Sequence, residues 1–357
     1  MSVIVPVFRG ADHLRVSLPD LLANTLSRTE WELIVVDDGS GDDTAAVAAA
    51  FADRVLRVPN GPRGPGHARN LGAVEARGDV LLFVDADVRV HRHVLERVLA
   101  RFDDDRTLTA VFGSYDDHPS AEGLVSQYRN LLHRYVHIEH AGTATTFWAG
   151  CGAVRRAPFM AVGGFDTHRY PRPQIEDIEL GYRLHDAGGT MLLDPGIGGT
   201  HLKRWTLWGM LRTDVRDRAV PWMRLLLERH TALANGPLNT SRREQAFVTA
   251  TALATVAGLA WLMSGAGHFL LAAVGGVGIV VAGNAPLFGW FARMRGPVFA
   301  AGTVPLRMLY YVAGVIGAAW AVVTYCAGML RPDQQTTRPR TTLPALVGSS
   351  PYDAGPR

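Results

Sequence analysis

Cysteine is nearly absent from this chain of 357 residues: Cys151 and Cys326 are the only two, and they lie far apart. A disulfide framework and a thiolate metal or redox motif are therefore excluded. Lysine is missing from residues 1–200, where 20 arginines face 27 acidic side chains and leave a net charge of −7. Between residues 246 and 330 charge of either sign is missing, apart from Arg293, Arg295 and Arg307. So long a stretch without ionisable groups suits lipid rather than water. No basic region precedes the apolar run Ser2–Val7, so that run is not read as a signal peptide. Nor does Gly-x-Gly-x-x-Gly follow it; Pro6-Val7-Phe8-Arg9-Gly10 stands there, which argues against a Rossmann dehydrogenase.

What is present is unevenly placed. With 48% apolar and 19% charged residues the chain is too apolar for general disorder, and it is long enough for one large domain or two ordinary ones. The overall charge of +3 conceals an acidic body followed by a basic belt, residues 201–243, with nine basic and three acidic side chains. That belt mixes Trp205, Trp208, Met210 and Trp222 with Arg212, Arg216, Arg218, Arg224 and Arg229, a pattern of amphipathic helices at a membrane interface. Basic charge beside aromatic rings also suits nucleic acid, but the negative body argues against that partner.

The uncharged run Ala246–Phe291 has 46 residues. As one helix it would be about 69 Å long, over twice a hydrocarbon core. A break at Ser264-Gly265-Ala266-Gly267-His268 gives spans at 246–264 and 269–290, and a third is expected at 308–330. Arg242 and Arg243 before the first span, and Arg293, Arg295 and Arg307 in the loop before the third, predict a multi-pass protein of the cell membrane with its body in the cytoplasm. Residues 331–357, with five prolines, read as a disordered tail. The expected organisation is thus a body at 1–200, interfacial helices at 201–243, a membrane region at 244–330, and the tail.

Within the body, strand and helix alternate. Ser2–Val7, Glu32–Val36, Val55–Val58 and Val80–Val84 are short apolar runs, as buried parallel strands require, with helices expected at about 12–26, 44–51 and 67–76. This is a doubly wound α/β order, in which ligands bind beyond the carboxyl ends of the strands. Asp37-Asp38-Gly39-Ser40 ends the second strand and Asp85-Ala86-Asp87 the fourth. Four carboxylates at one rim repel unless cations or hydrogen-bond donors compensate them. Asp85 and Asp87, two residues apart, suit a hard divalent ion such as Mg²⁺ or Mn²⁺ that also binds phosphate.

Here the sequence resembles glycosyltransferase family 2, the inverting nucleotide-sugar transferases of GT-A fold. The resemblance covers about residues 2–205 and rests on six motifs in order: Val3-Ile-Val-Pro-Val, Val35-Val-Asp-Asp-Gly-Ser, Gly66-His-Ala-Arg-Asn-Leu-Gly, Asp85-Ala-Asp87, Gly163-Gly-Phe-Asp and Glu176-Asp-Ile-Glu-Leu. It implies a mainly parallel GT-A sheet followed by the interfacial and membrane helices. It further implies that Pro6, Val7, Asp37 and Asp38 hold the base and ribose, that Arg69 and Asn70 complete that site, and that Asp87 ligates the metal across the diphosphate. Asp85 would contact ribose or metal, and Asp177 would be the general base that deprotonates an acceptor hydroxyl. Glu176 would serve the acceptor or diphosphate, and Glu179 is read as structural.

His201-Leu-Lys-Arg204-Trp205 has the spacing of the Gln-x-x-Arg-Trp signature of processive members, but with His in place of Gln. Processive synthesis is therefore not expected; His201 would instead touch metal or diphosphate, Arg204 a phosphate, and Trp205 an acceptor sugar. The reading is an inverting glycosyltransferase with a nucleotide-sugar donor and a lipid-linked or glycan acceptor, surrounded by membrane lipids. A nucleotidyltransferase on a similar sheet and a non-catalytic membrane scaffold are the alternatives. The first would release pyrophosphate, and the second has no reason to keep clustered charge.

Overall fold

Short strands with no polar face need cover on both sides, and residues 2–84 supply it by alternating strand with helix. In the computed structural model, which describes residues 1–229 and 241–329, β1 (Ser2–Val7) leads through α1 (Ala11–Leu22) to β2 (Glu32–Asp37). α2 (Thr44–Ala49), β3 (Arg54–Arg57), α3 (Pro65–Glu75) and β4 (Val80–Val84) follow. These four strands are parallel, β1 lying between β2 and β4 with Val7 opposite Asp37. The register brings the carboxyl ends of β1, β2 and β4 to one rim, as the alternation predicted.

The chain continues through β5 (Val88–Val90), α4 (Val94–Asp104), β6 (Leu108–Tyr115), α5 (Leu124–Glu139), β7 (Gly142–Ala144) and β8 (Cys151–Arg155). After these come α6 (Arg156–Ala161), α7 (Glu176–Asp186) and β9 (Thr190–His201). One nine-stranded sheet results, in the order β3-β2-β1-β4-β8-β6-β9-β5, with β7 on β9. β8 runs antiparallel to β4, Cys151 opposite Val84, so the loop before β8 reaches the same rim as Asp85.

Met1–Ser114 and Ala141–Gly199 form one unit, whereas Tyr115–His140, which contains α5, belongs with the described residues from Thr200 onward. The reason lies in α5: Tyr128, Leu131 and Leu132 bury their side chains against Met210, Leu287, Phe291 and Leu306.

The second unit also contains α8 (Leu207–Arg212), a π-helical segment (Thr213–Ala219) and α9 (Val220–Glu228). α10 (Arg242–Ser264), α11 (Gly267–Gly283), α12 (Ala285–Arg295) and α13 (Pro297–Met329) complete it. By length and composition α10 and the Pro297–Ala327 part of α13 are able to cross a membrane. The expected span at 269–290 is broken: α11 and α12 meet at 56°, because Pro286 lacks the N–H a continuous helix needs and Asn284 Nδ2 donates to Val280 O. The expected loop before the third span shrinks to Gly296, and Arg307 lies inside α13. It is tolerated there because its Nη2 donates to both oxygens of Glu244, at 2.8 and 2.9 Å, and its Nε to Asn284 Oδ1 at 2.9 Å. The tail at 331–357 and part of the basic belt, 230–240, fall outside the described residues.

Candidate active site

At the end of β2, Asp37 and Asp38 face different tasks. Asp37 is buried; its Oδ1 accepts from Ser40 N at 2.9 Å, while its Oδ2 has no hydrogen-bond partner among the described residues. Arg57 Nε is 3.9 Å from that oxygen. Asp38 accepts from Arg63 N and Gly64 N at 2.8 and 2.7 Å, so its carboxylate fastens the loop between β3 and α3. Burial nonetheless raises its pKa above the ordinary carboxylate value. Gly61 is required in that loop, since a Cβ there would stand 2.5 Å from Asp38 O. Pro6 and Val7 are buried beside this corner, where Asp38 N donates to Val7 O at 2.8 Å.

Around β4 the acids form a second group, organised by α3. Arg69 is buried and reaches two carboxylates, Nη2 to Asp85 Oδ1 at 2.6 Å and Nη1 to Glu176 Oε1 at 3.1 Å. The guanidinium thus compensates the rim of β4 and the start of α7. Asn70, the next residue, serves the main chain. It is fully buried, its Nδ2 donating to Phe165 O and its Oδ1 accepting from Phe165 N, both at 2.9 Å, so it holds the Gly163-Gly164-Phe165 turn. Asp85, its side chain 32% exposed, and half-buried Asp87 occupy the turn between β4 and β5. Burial raises the Asp85 pKa, Arg69 opposes that rise, and the neighbouring Asp87 adds to it.

Asp177 sits in the first turn of α7, where the helix dipole favours a negative charge. Its Oδ2 accepts from Ala149 N at 3.1 Å and its Oδ1 from Ile178 N at 2.8 Å. Burial, then repulsion from Glu176, pushes its pKa up to about 7. A carboxyl with that pKa exchanges a proton near neutrality, which general-base work requires. Glu179 is held at both oxygens by Arg183, at 2.8 and 2.7 Å, in keeping with its structural reading.

The loop Phe147–Gly150 is a part of this site that sequence reasoning missed. Ala149 N fixes Asp177, and the next residue's carbonyl, Gly150 O, accepts from Asp85 N at 3.1 Å. Two backbone groups therefore tie the base to the Asp85 turn. The glycines of Ala149-Gly150-Cys151-Gly152 were the available signal: a Cβ on Gly152 would stand 2.2 Å from Trp148 O.

The remaining predicted residues belong to the second unit. His201 is buried, its ring stacked on Tyr115 at 4.1 Å between centroids. Its Nδ1 lies 2.6 Å from Asn130 Oδ1, and Asn130 Nδ2 donates to Ser126 O. With the amide so oriented, Nδ1 donates to Asn130 Oδ1. Arg204 is exposed. Trp205 is half-buried between Lys203, 4.2 Å from its ring centroid, and Arg129, at 5.4 Å. Among the described residues no group of three or more His, Cys, Asp or Glu side chains is placed to hold a metal ion. Asp85 and Asp87 alone still suit a hard cation, which takes its other ligands from phosphate and water.

Residues 2–163 match the family described as Glycosyl transferase family 2. Probable glycosyltransferase YdaM of Bacillus subtilis is 24% identical over 238 residues, 60% of this chain and 53% of that protein. Validoxylamine A glucosyltransferase of Streptomyces hygroscopicus subsp. jinggangensis is 30% identical over 220 residues, 53% of this chain and 52% of its own length. The chain thus spans about half the length of these curated relatives. Among solved structures, the mannosyltransferase PcManGT from Pyrobaculum calidifontis, in complex with GDP-Man and Mn²⁺, superposes with a TM-score of 0.55 at 19% identity, covering 89% of this chain and 86% of its own. That likeness is one of fold.

Proposed function

We propose that this chain, whose residues 2–163 match the glycosyl transferase family 2, is a glycosyltransferase that moves a sugar from a nucleotide-sugar donor to an acceptor oxygen with inversion. One observation carries the reading: Asp177, poised near neutrality, is tied through Ala149 and Gly150 to the Asp85 turn that Arg69 also holds.

In this reading Pro6, Val7 and the Oδ2 of Asp37, which has no hydrogen-bond partner among the described residues, receive the base and ribose, Asp37 accepting an N–H or hydroxyl bond. Asp177 takes the proton of an acceptor hydroxyl as that oxygen attacks the anomeric carbon, and the bond to the nucleoside diphosphate breaks on the opposite face. A phosphate acceptor, already ionised, would need only orientation. Asp85 and Asp87 would hold Mg²⁺ or Mn²⁺, which offsets the charge of the leaving diphosphate. Arg69 keeps Asp85 and Glu176 in place and limits their repulsion of Asp177.

We infer a membrane-bound enzyme with its catalytic unit cytoplasmic and a lipid-linked acceptor. Supporting this are α10 and α13, long and apolar enough to span, the arginines at the start of α10, and Trp208, 75% exposed on α8. The test is a screen of UDP-, GDP- and dTDP-sugars with detergent-solubilised full-length protein, divalent metal and a lipid extract. Release of a nucleoside diphosphate together with a glycosylated lipid is expected, and its loss in Asp177→Ala. Pyrophosphate release, or equal turnover in that variant, would overturn the reading.

A further inference from the structure

The second unit contains a cavity of about 160 Å³ at the first turn of α10, lined by Tyr135, Glu139 and His140 from α5 and its end, Arg243 and Glu244 from α10, and Arg307 from α13. Leu132, Val136 and Leu287 supply apolar wall. Arg307 is the informative residue. Its side chain is 4% exposed, with Nε spent on Asn284 and Nη2 on Glu244, yet Nη1 is buried without a hydrogen-bond partner among the described residues. A guanidinium donor so placed asks for an acceptor.

Glu244 does not meet that need, because its oxygens already receive Arg307 Nη2 and the Tyr311 hydroxyl. Arg243 adds a second guanidinium, anchored by a bond from Nη2 to Gly283 O, and the amino end of a 23-residue helix adds its partial positive charge. The opposing group is Glu139, which engages the Tyr135 hydroxyl. The position along the helix names the source of the acceptor. Arg242 and Arg243 mark the end of the apolar span, and further along α10 Leu253, Val256, Leu259 and Leu262 are exposed, as a lipid-facing surface would be.

We propose that this cavity binds the phosphate group of a membrane lipid, Arg243 and Arg307 Nη1 donating to its oxygens. The proposal rests on the membrane reading above but not on the transfer reaction. The site takes either a bulk phospholipid or a polyprenyl-phosphate acceptor, which share this chemistry.

The test uses the full-length protein, purified in detergent and delipidated. Retention of phosphatidylglycerol, polyprenyl phosphate and inorganic phosphate is followed by native mass spectrometry and by thermal shift, without any sugar donor. Both lipids should be retained and raise the melting temperature. Arg243→Gln should weaken retention at least tenfold, and so should the charge-balanced pair Arg307→Gln with Glu244→Gln, which leaves no lone buried charge. Preference for the polyprenyl phosphate would identify the acceptor as the source, and equal retention would identify the bilayer. No retention by the native chain, undiminished retention by folded variants, or an equal response to inorganic phosphate would overturn the proposal. A native chain that retains lipid but transfers no sugar would instead refute the transfer reading alone.

Discussion

Arg69 on α3 and Glu176 on α7, 107 residues apart in sequence, meet at 3.1 Å inside the first unit, and the same guanidinium holds Asp85 at 2.6 Å. One buried cation thus spans the two motifs read as metal carboxylates and base. Replacing it by Met leaves both acids uncompensated, with an expected cost of about 3–5 kcal/mol, as when one partner of a buried ion pair is removed. Chemical denaturation measures this, and adding Glu176→Gln to Arg69→Met should restore part of the loss.

Asp177 must be ionised to accept a proton, and its pKa is pushed up to about 7. The rate of transfer to a hydroxyl acceptor should therefore rise with pH on an acid limb centred near that value, and level above it. Asp177→Asn should lower kcat by about 10²- to 10⁴-fold, the usual contribution of a positioned base, with donor affinity little changed. A pH–rate profile alongside isothermal titration with donor checks both.

Repulsion from Glu176 is part of what raises that pKa. Glu176→Gln should accordingly move the acid limb to lower pH. Stability follows the same sign. The folded chain holds the Asp177 proton more tightly than the unfolded one, so its contribution to stability is full below the ordinary carboxylate pKa and is lost as pH rises toward about 7. Melting temperatures at pH 8 should be higher for Asp177→Asn than for the native chain.

Chelation should stop transfer, and Mg²⁺ or Mn²⁺ should restore it. Asp87→Ala should stay inactive at metal concentrations that rescue the native chain, while its melting temperature shifts little, because Asp87 is only half-buried. Turnover against metal concentration distinguishes this from a folding defect.

If α10 and α13 cross a bilayer, the chain should stay in the membrane pellet through an alkaline carbonate wash and need detergent for release. Fractionation followed by immunoblotting reads the outcome.

Much of the sheet was legible because parallel strands announce themselves as apolar runs: Ser2–Val7 and Val80–Val84 form with the boundaries expected, Asp37 ends β2, and Asp85 follows β4. Partner choice was not legible. Arg69 bonds to Asp85 and Glu176, acids that only the fold brings within reach of its long side chain. The buried amide of Asn70 bonds to the main chain of Phe165, which lies far along the sequence and is brought near only by the fold. Ala149 was invisible because it acts through its main chain, which carries no residue signal. In the helices, a window of hydropathy missed the bend at Asn284, which Pro286 and a local side-chain bond produce, and the burial of Arg307, which depends on partners supplied by other helices.

The most direct test of single displacement with Asp177 as base is the anomeric configuration of the product, read by NMR of the isolated glycoside against that of the donor. Inversion is the predicted result. A product that retains the donor's configuration would require a covalent or front-face route and would contradict the account.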